Sequence, residues 1–139
     1  MGTAAALAPV FVEVALTFVL LVWLGFARIG ALRARQARLR EVALGEPKWP
    51  AAVTQIQNAY QNQFELPVLF YALIALALVT GHANGTLVAL AWLFVATRLV
   101  HAFIHTTSNN VPQRFWAYTA GMGVLILMWA AFAIEVIAG

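Results

Sequence analysis

The 139-residue chain is 63% hydrophobic and only 9% charged. A soluble domain usually carries about 25% charged residues, so this chain has too few charges to cover a water-facing surface, and we expect lipid to surround most of it. It has no cysteine, which excludes disulfides, thiolate metal sites and a cysteine nucleophile.

Four apolar stretches are each long enough to cross a bilayer, which takes about 20 helical residues. They run over about 8–27, 51–79, 87–105 and 113–137. No lysine or arginine precedes the first stretch, so we expect a retained helix and not a cleaved signal. The sequence therefore predicts one all-α domain over 1–139, an integral membrane four-helix bundle.

The connections between the spans predict their orientation. Six of the eight Lys and Arg lie between Arg28 and Lys48, and this connection ends in the helix breaker Glu46-Pro47-Lys48-Trp49-Pro50. Positive charge beside a span marks the cytoplasmic side and contacts anionic lipid, so we expect no nucleic-acid partner. The first and third connections should be cytoplasmic and both termini outside, as in a bacterial inner-membrane protein.

The other two connections carry clear turn signals. Residues 80–85 form a short polar turn. Residues 106–112 supply Ser108, Asn109 and Asn110 as N-cap candidates, and Pro112 then falls in the first helical turn, where its missing N–H does no harm.

Polar residues gather on one face of the second span. Their spacing of i, i+3, i+4 and i+7 places them on one helical face that must meet protein or water and not lipid; they are Asn58, Gln61, Asn62 and Glu65. Pro67 follows and removes a backbone hydrogen bond, which predicts a kink near Glu65.

The third span has a matching polar face made by Arg98, His101 and His105. Ionisable groups inside a membrane are usually paired or functional. Because Glu65 and Arg98 should reach similar depths from the same side, we expect them to form an ion pair.

Two further contacts extend the predicted site toward the cytoplasm. Asn62 should meet His101 and Asn58 should meet His105, one helical turn apart. At the start of the fourth span, Arg114 and Tyr118 should close the same pocket. Such a pocket suits an anionic or zwitterionic small molecule. The alternative is a hydrogen-bond network that only fastens the helices.

Three other ionisable patterns suggest weaker hypotheses. His101 and His105 resemble half of a metal or haem site, but no other histidine is near, so we expect no metal. Glu13, with Thr17 one turn later, could serve a proton-coupled exporter, although packing near the outer interface explains it more simply. Glu135 is expected to be solvated.

The polar residues of the second span resemble a motif of the family of membrane-associated proteins in eicosanoid and glutathione metabolism (MAPEG). That family has Arg-x-x-x-Asn-x-x-Glu with a proline shortly after. Here the segment is Asn58-Ala-Tyr-Gln61-Asn62-Gln-Phe-Glu65, followed by Pro67. Asn62 and Glu65 match, whereas Asn58 replaces the arginine.

A second segment resembles the prostaglandin synthase branch of this family, which has Arg-x-x-His-x-x-x-Tyr and then Pro-x-Arg-x-x-x-Tyr. Here it is Arg98-Leu-Val-His101-Ala-Phe-Ile-His105, then Pro112-Gln-Arg114-Phe-Trp-Ala-Tyr118. His105 replaces a tyrosine. The resemblance covers essentially the whole chain.

The resemblance implies a homotrimer that binds glutathione between subunits. Arg114 would be the catalytic residue that stabilises the glutathione thiolate, and an arginine near the end of the neighbour's first helix, Arg28 or Arg33, would assist. The residues expected to bind glutathione are Asn58, Asn62, Glu65, Arg98, His101, His105, Tyr118 and Arg28.

We therefore expect a glutathione-dependent transferase or peroxidase acting on lipophilic electrophiles or hydroperoxides that arrive from the bilayer. A free thiol has a pKa of about 8.5, and a nearby cation lowers it. Asn58, Gln61 and Asn110 replace basic residues of the synthases, so this pocket is less positive than theirs. The alternatives are a non-catalytic lipid-binding or structural trimer and a small exporter, against which the charge bias of the first connection argues.

Overall fold

The computed structural model of the protein describes residues 2–43 and 49–139. This part of the chain is helical and contains no strand. Its elements are α1 (Thr3–Arg33), α2 (Leu39–Val42), α3 (Ala51–Gln61), a 3-10 turn (Asn62–Phe64), α4 (Leu66–Val79), α5 (Gly85–Thr106) and α6 (Val111–Ala138). The predicted break at 46–50 lies mostly outside the described residues.

Four helical segments are long and apolar enough to cross a membrane: Thr3–Arg33, Ala51–Val79, Gly85–Thr106 and Val111–Ala138. Large apolar side chains are exposed along the outer faces, for example Phe18, Phe103 and Ile126. Lipid is the solvent that such surfaces need. The predicted all-α bundle of four spans is confirmed, and the protein is a multi-pass integral membrane protein.

Asparagine caps start both of the later spans. The Asn84 side chain accepts a hydrogen bond from the Leu87 N–H at 2.9 Å, and that of Asn110 accepts from the Gln113 N–H at 3.0 Å. These side chains satisfy N–H groups that a helix start leaves without a partner. Gly81, at φ +76°, lets the chain turn between α4 and α5.

The second span is broken in its middle. The α-helical pattern stops at Gln61, a 3-10 turn follows, and Glu65 leaves helical geometry with φ −99° and ψ −107°. Pro67 lies in the first turn of α4, where it needs no N–H partner. The predicted kink near Glu65 is therefore a complete interruption of the helix.

Two packed regions hold the bundle together at opposite ends. At one end the start of α1, the end of α4, the start of α5 and the end of α6 share an apolar core around Phe70, Phe94 and Met128. At the other end the last turns of α1 pack on the start of α3. We call this second end the basic end, because the exposed residues Arg33, Arg35, Arg38 and Arg40 lie there.

Candidate functional site

A polar pocket opens between α3, the end of α5 and the start of α6. Its volume is about 320 Å³. Its lining residues are Asn58, Asn62, His101, His105, Val111, Arg114, Phe115 and Tyr118. Six of these are polar residues predicted for the site, so the polar faces of three spans do meet in one cavity.

Asn62 and His105 join two walls of the polar pocket. Asn62 Nδ2 lies 3.1 Å from His105 Nδ1. We predicted His101 as the partner of Asn62, and His105 as that of Asn58, and both pairings are wrong by one turn. His101 is buried, its Nδ1 has no hydrogen-bond partner, and its ring lies 5.5 Å from that of His105.

Arg98 contacts two residues that line the polar pocket and is itself completely buried. Its Nη2 donates a hydrogen bond to the Asn62 carbonyl at 3.3 Å, and its Cζ lies 5.7 Å from the centre of the Tyr118 ring. Its Nε and Nη1 have no hydrogen-bond partner. The predicted Glu65–Arg98 ion pair is therefore wrong, and Arg98 does not line the cavity in this chain.

Glu65 instead accepts a hydrogen bond from the Tyr118 hydroxyl at 3.1 Å. The carboxylate is exposed, and Glu65, although predicted for the site, is not among the residues that line the cavity. A carboxylate held in this way remains able to pair with a cationic group of a ligand.

Arg114 is half-buried and supplies a cation to the lining of the polar pocket. Its Nη1 donates to Asn109 Oδ1 at 2.6 Å. Asn109 adopts φ +50°, a left-handed conformation that asparagine tolerates better than most residues. The turn before α6 therefore orients the guanidinium beside the cavity.

Arg28 lies in α1, outside the lining of the polar pocket. Its Nη2 donates to Gln57 Oε1 at 2.8 Å, and its Cζ lies 5.2 Å from the centre of the Trp49 ring. Arg33 is exposed at the end of α1. Neither arginine lines the polar pocket of its own chain, so the prediction that they serve a neighbouring subunit stays a prediction.

Sequence reasoning missed three residues that shape the site. The sequence predicts Asn109 only as a cap candidate, but its side chain accepts a hydrogen bond from Arg114. Gln55 donates to the carbonyls of His105 and Thr107 at 2.7 and 3.1 Å and so fastens α3 to the end of α5. The third is Glu13, expected only to pack near the outer interface or to serve an exporter; it is fully buried inside the bundle.

Glu135 also differs from expectation. It is half-buried, and its Oε1 accepts a hydrogen bond from Asn84 Nδ2 at 2.6 Å. It therefore ties the end of α6 to the start of α5 and is not merely solvated.

The polar pocket combines one cation, two amides, two imidazoles and a phenol with apolar side chains at its rim. Val111 and Phe115 are exposed on that rim, where the surface of the bundle meets lipid. Such a site can hold a polar, partly anionic molecule beside a route for an apolar one.

Comparison with known proteins agrees with this architecture. No curated protein and no solved structure matches the chain significantly. The model of the MAPEG family matches residues 6–134, which is nearly the whole chain. The four spans and the two motifs described above are thus explained together: the chain belongs to the MAPEG family.

Proposed function

We propose that the protein is a glutathione-dependent transferase or peroxidase that acts on lipophilic electrophiles or hydroperoxides. The observation that carries the proposal is the position of Arg114 in a polar pocket whose rim is apolar. A cation beside a bound thiol favours the thiolate, which is the reactive nucleophile. Membership of the MAPEG family makes glutathione the first thiol to consider.

The chemistry of glutathione fits the polar groups around the cavity. Its carboxylates can pair with cations and amide donors, and its ammonium with the exposed carboxylate of Glu65. In the transferase reaction the sulfur forms a bond to an electrophilic carbon as a leaving group departs with its electron pair. In the peroxidase reaction two glutathione molecules are oxidised to the disulfide, and the hydroperoxide is reduced to an alcohol and water.

We also propose that the working unit is a homotrimer in which a neighbour completes the site. The cavity of one chain, about 320 Å³, lies at the lower end of the range of about 300–1,000 Å³ typical of small-molecule sites. Arg28 or Arg33 of a neighbour could add the positive charge that Asn58, Gln61 and Asn110 do not supply.

The orientation that we propose places the basic end in the cytoplasm of a bacterial cell, with both termini outside. The excess of arginine in the first connection supports this orientation. Because the chain has no cysteine, the single-cysteine variants Arg40→Cys and Thr86→Cys would report the side. A membrane-impermeant maleimide should label only the second in intact cells.

The function is tested with protein purified in detergent and returned to lipid vesicles. Wild-type protein should conjugate glutathione with an apolar aryl halide, and Arg114→Ala should lose at least about tenfold in kcat/KM, one unit of thiol pKa. Arg40→Ala is the matched control, since Arg40 is exposed on α2 away from the cavity. Light scattering of the same samples should give a trimer for all three proteins.

A lipid-binding role is the second candidate, favoured by an apolar groove of about 340 Å³ between α1 and the α3–α4 segment. Its lining includes Phe18, Leu21, Phe64 and Val68. If wild-type protein neither binds glutathione nor shows thiol-dependent turnover, and mass spectrometry finds co-purified lipid, this second function replaces the first.

A further inference from the structure

Glu13 is a carboxylate buried inside the bundle. It lies in α1, is 0% exposed, and neither of its oxygens has a hydrogen-bond partner. In the described ranges 2–43 and 49–139 it is the one fully buried acidic residue. An isolated ionised carboxylate is very costly in such surroundings, so a cation is expected beside it.

The packing of α1 against α5 places Glu13 at the level of Arg98. On one side, Val10 packs in the same apolar cluster as Val95. On the other, Leu16 packs in the same cluster as Ala102. Glu13 lies between Val10 and Leu16 in α1. Likewise, Arg98 lies between Val95 and Ala102 in α5.

The two side chains carry opposite charges on adjacent helices, and no hydrogen bond joins them directly. Both side chains are 0% exposed, and Nε and Nη1 of Arg98 have no hydrogen-bond partner. Arginine cannot lose its proton in a protein, so its charge must be balanced by a nearby anion.

We propose that Glu13 is a positioning residue: its buried carboxylate balances Arg98 and so holds the floor of the polar pocket. Arg98 in turn contacts the Asn62 carbonyl and the face of the Tyr118 ring, and both of these residues line the cavity. One charge pair thereby connects α1, the helix break, α5 and α6.

The pairing also explains why Glu65 is free to bond to a residue other than Arg98. With Glu13 as its counter-ion, Arg98 does not require the carboxylate of Glu65, which bonds to Tyr118 and stays exposed. The internal pair thus leaves the exposed Glu65 carboxylate, bonded to the pocket residue Tyr118, available for the cationic part of a ligand.

The first test measures coupling without any ligand. The apparent melting temperatures of the wild type, Glu13→Gln, Arg98→Met and the double variant form a double-mutant cycle. We expect each single variant to fall by about 5 °C or more, and the double variant to be more stable than Glu13→Gln, since it leaves no unbalanced cation. Glu41→Gln is the matched control, since Glu41 is an exposed acidic residue on α2.

Two results would overturn the proposal in this assay. One is an additive cycle, and the other is a Glu13→Gln variant as stable as the wild type. If Arg98→Met yields no folded protein, alkylation of the single cysteine in Asn58→Cys, in native membranes, replaces melting. Glu13→Gln should then change its reaction rate with a water-soluble maleimide at least threefold, Glu13→Asp should restore it, and an unchanged rate refutes the proposal.

A second test, which rests on the proposed function, measures the affinity of the polar pocket for glutathione. Glu13→Gln should weaken glutathione binding at least fivefold, with recovery in Glu13→Asp, whereas the double variant should regain stability but not affinity. Unchanged glutathione affinity in Glu13→Gln contradicts the positioning role. Absence of binding by the wild type refutes only the proposed function, because the melting cycle still decides on the charge pair.

Discussion

The Tyr118 hydroxyl donates a hydrogen bond to Glu65 Oε2, with the two oxygens 3.1 Å apart. The contact joins the start of α6 to the break in the second span. The same Tyr118 ring lies over the guanidinium of Arg98 and 5.6 Å from the ring of His101. The Tyr118 side chain therefore orients the Glu65 carboxylate through its hydroxyl and forms an aromatic wall of the cavity with its ring.

Tyr118→Phe separates these two contributions. It removes the hydroxyl that bonds to Glu65 and keeps the ring over Arg98, so the fold should be retained. We expect glutathione affinity to fall about fivefold, which corresponds to roughly 1 kcal/mol for one hydrogen bond. Isothermal titration of the purified protein measures the affinity. Tyr118→Leu, which also loses the ring, should lose more affinity and melt at a lower temperature; equal losses in the two variants would contradict this division.

Gln55 provides a test of the contact between α3 and the end of α5. Its side-chain amide donates to two carbonyls that lie at the helix end, where intrahelical donors are missing. Gln55→Leu should destabilise the protein by about 1–2 kcal/mol and reduce glutathione affinity, because His105 loses a backbone restraint. Gln61→Leu, at an exposed position of the same helix, is the control in thermal melting and should match the wild type.

The spans and their ends could be predicted because their signals are local. Apolar length marks a membrane helix, and an asparagine before the first turn marks its start, as Asn84 and Asn110 do here. Pro67 is a local signal of the same kind, and it predicts the interruption of the second span.

Most residues of the site could be predicted, but the contacts between their side chains could not. The periodicity that placed Asn58, Asn62 and Glu65 on one face assumes 3.6 residues per turn. The 3-10 turn over Asn62–Phe64 has about three, so residues after Gln61 are rotated relative to those before it. Glu65 therefore meets Tyr118 and not Arg98, and Asn62 meets His105 and not His101.

Glu13 shows a different limit. The partner that we propose for it, Arg98, lies 85 positions later in the chain, and no spacing rule connects α1 with α5. The distance of each residue from the start of its helix was the available signal. At 1.5 Å per residue, Glu13 lies about 15 Å from the start of α1 and Arg98 about 20 Å from the start of α5. Comparing depths requires the true helix starts, and α1 begins at Thr3, earlier than the apolar run suggested.

Gly121 of α6 faces side chains of α5 at close range. A Cβ atom at this position would lie 2.7 Å from Thr97 Oγ1, which itself bonds to the Phe94 carbonyl. Gly121→Ala should therefore destabilise the bundle by about 1–3 kcal/mol, seen as a fall of roughly 3–9 °C in melting temperature. Gly123→Ala has open space and is the control. Adding Thr97→Ala should recover much of the loss; no recovery would show that the clash is not with Thr97.

Asn109 allows the role of the Arg114 charge to be separated from its position. Asn109→Gly keeps the left-handed backbone at φ +50° but removes the oxygen that holds Arg114, so turnover should fall while the fold remains. Asn109→Asp keeps an acceptor in the same place but adds a negative charge, which should counteract the guanidinium and lower the fraction of bound thiolate. We expect the aspartate variant to lose more activity than the glycine variant, about tenfold relative to the wild type, the effect of one unit in thiol pKa. Ultraviolet absorbance of the thiolate and kcat/KM, measured on the same samples, test this order. If Arg114 acts only by positioning the substrate, the aspartate variant should instead be the more active of the two.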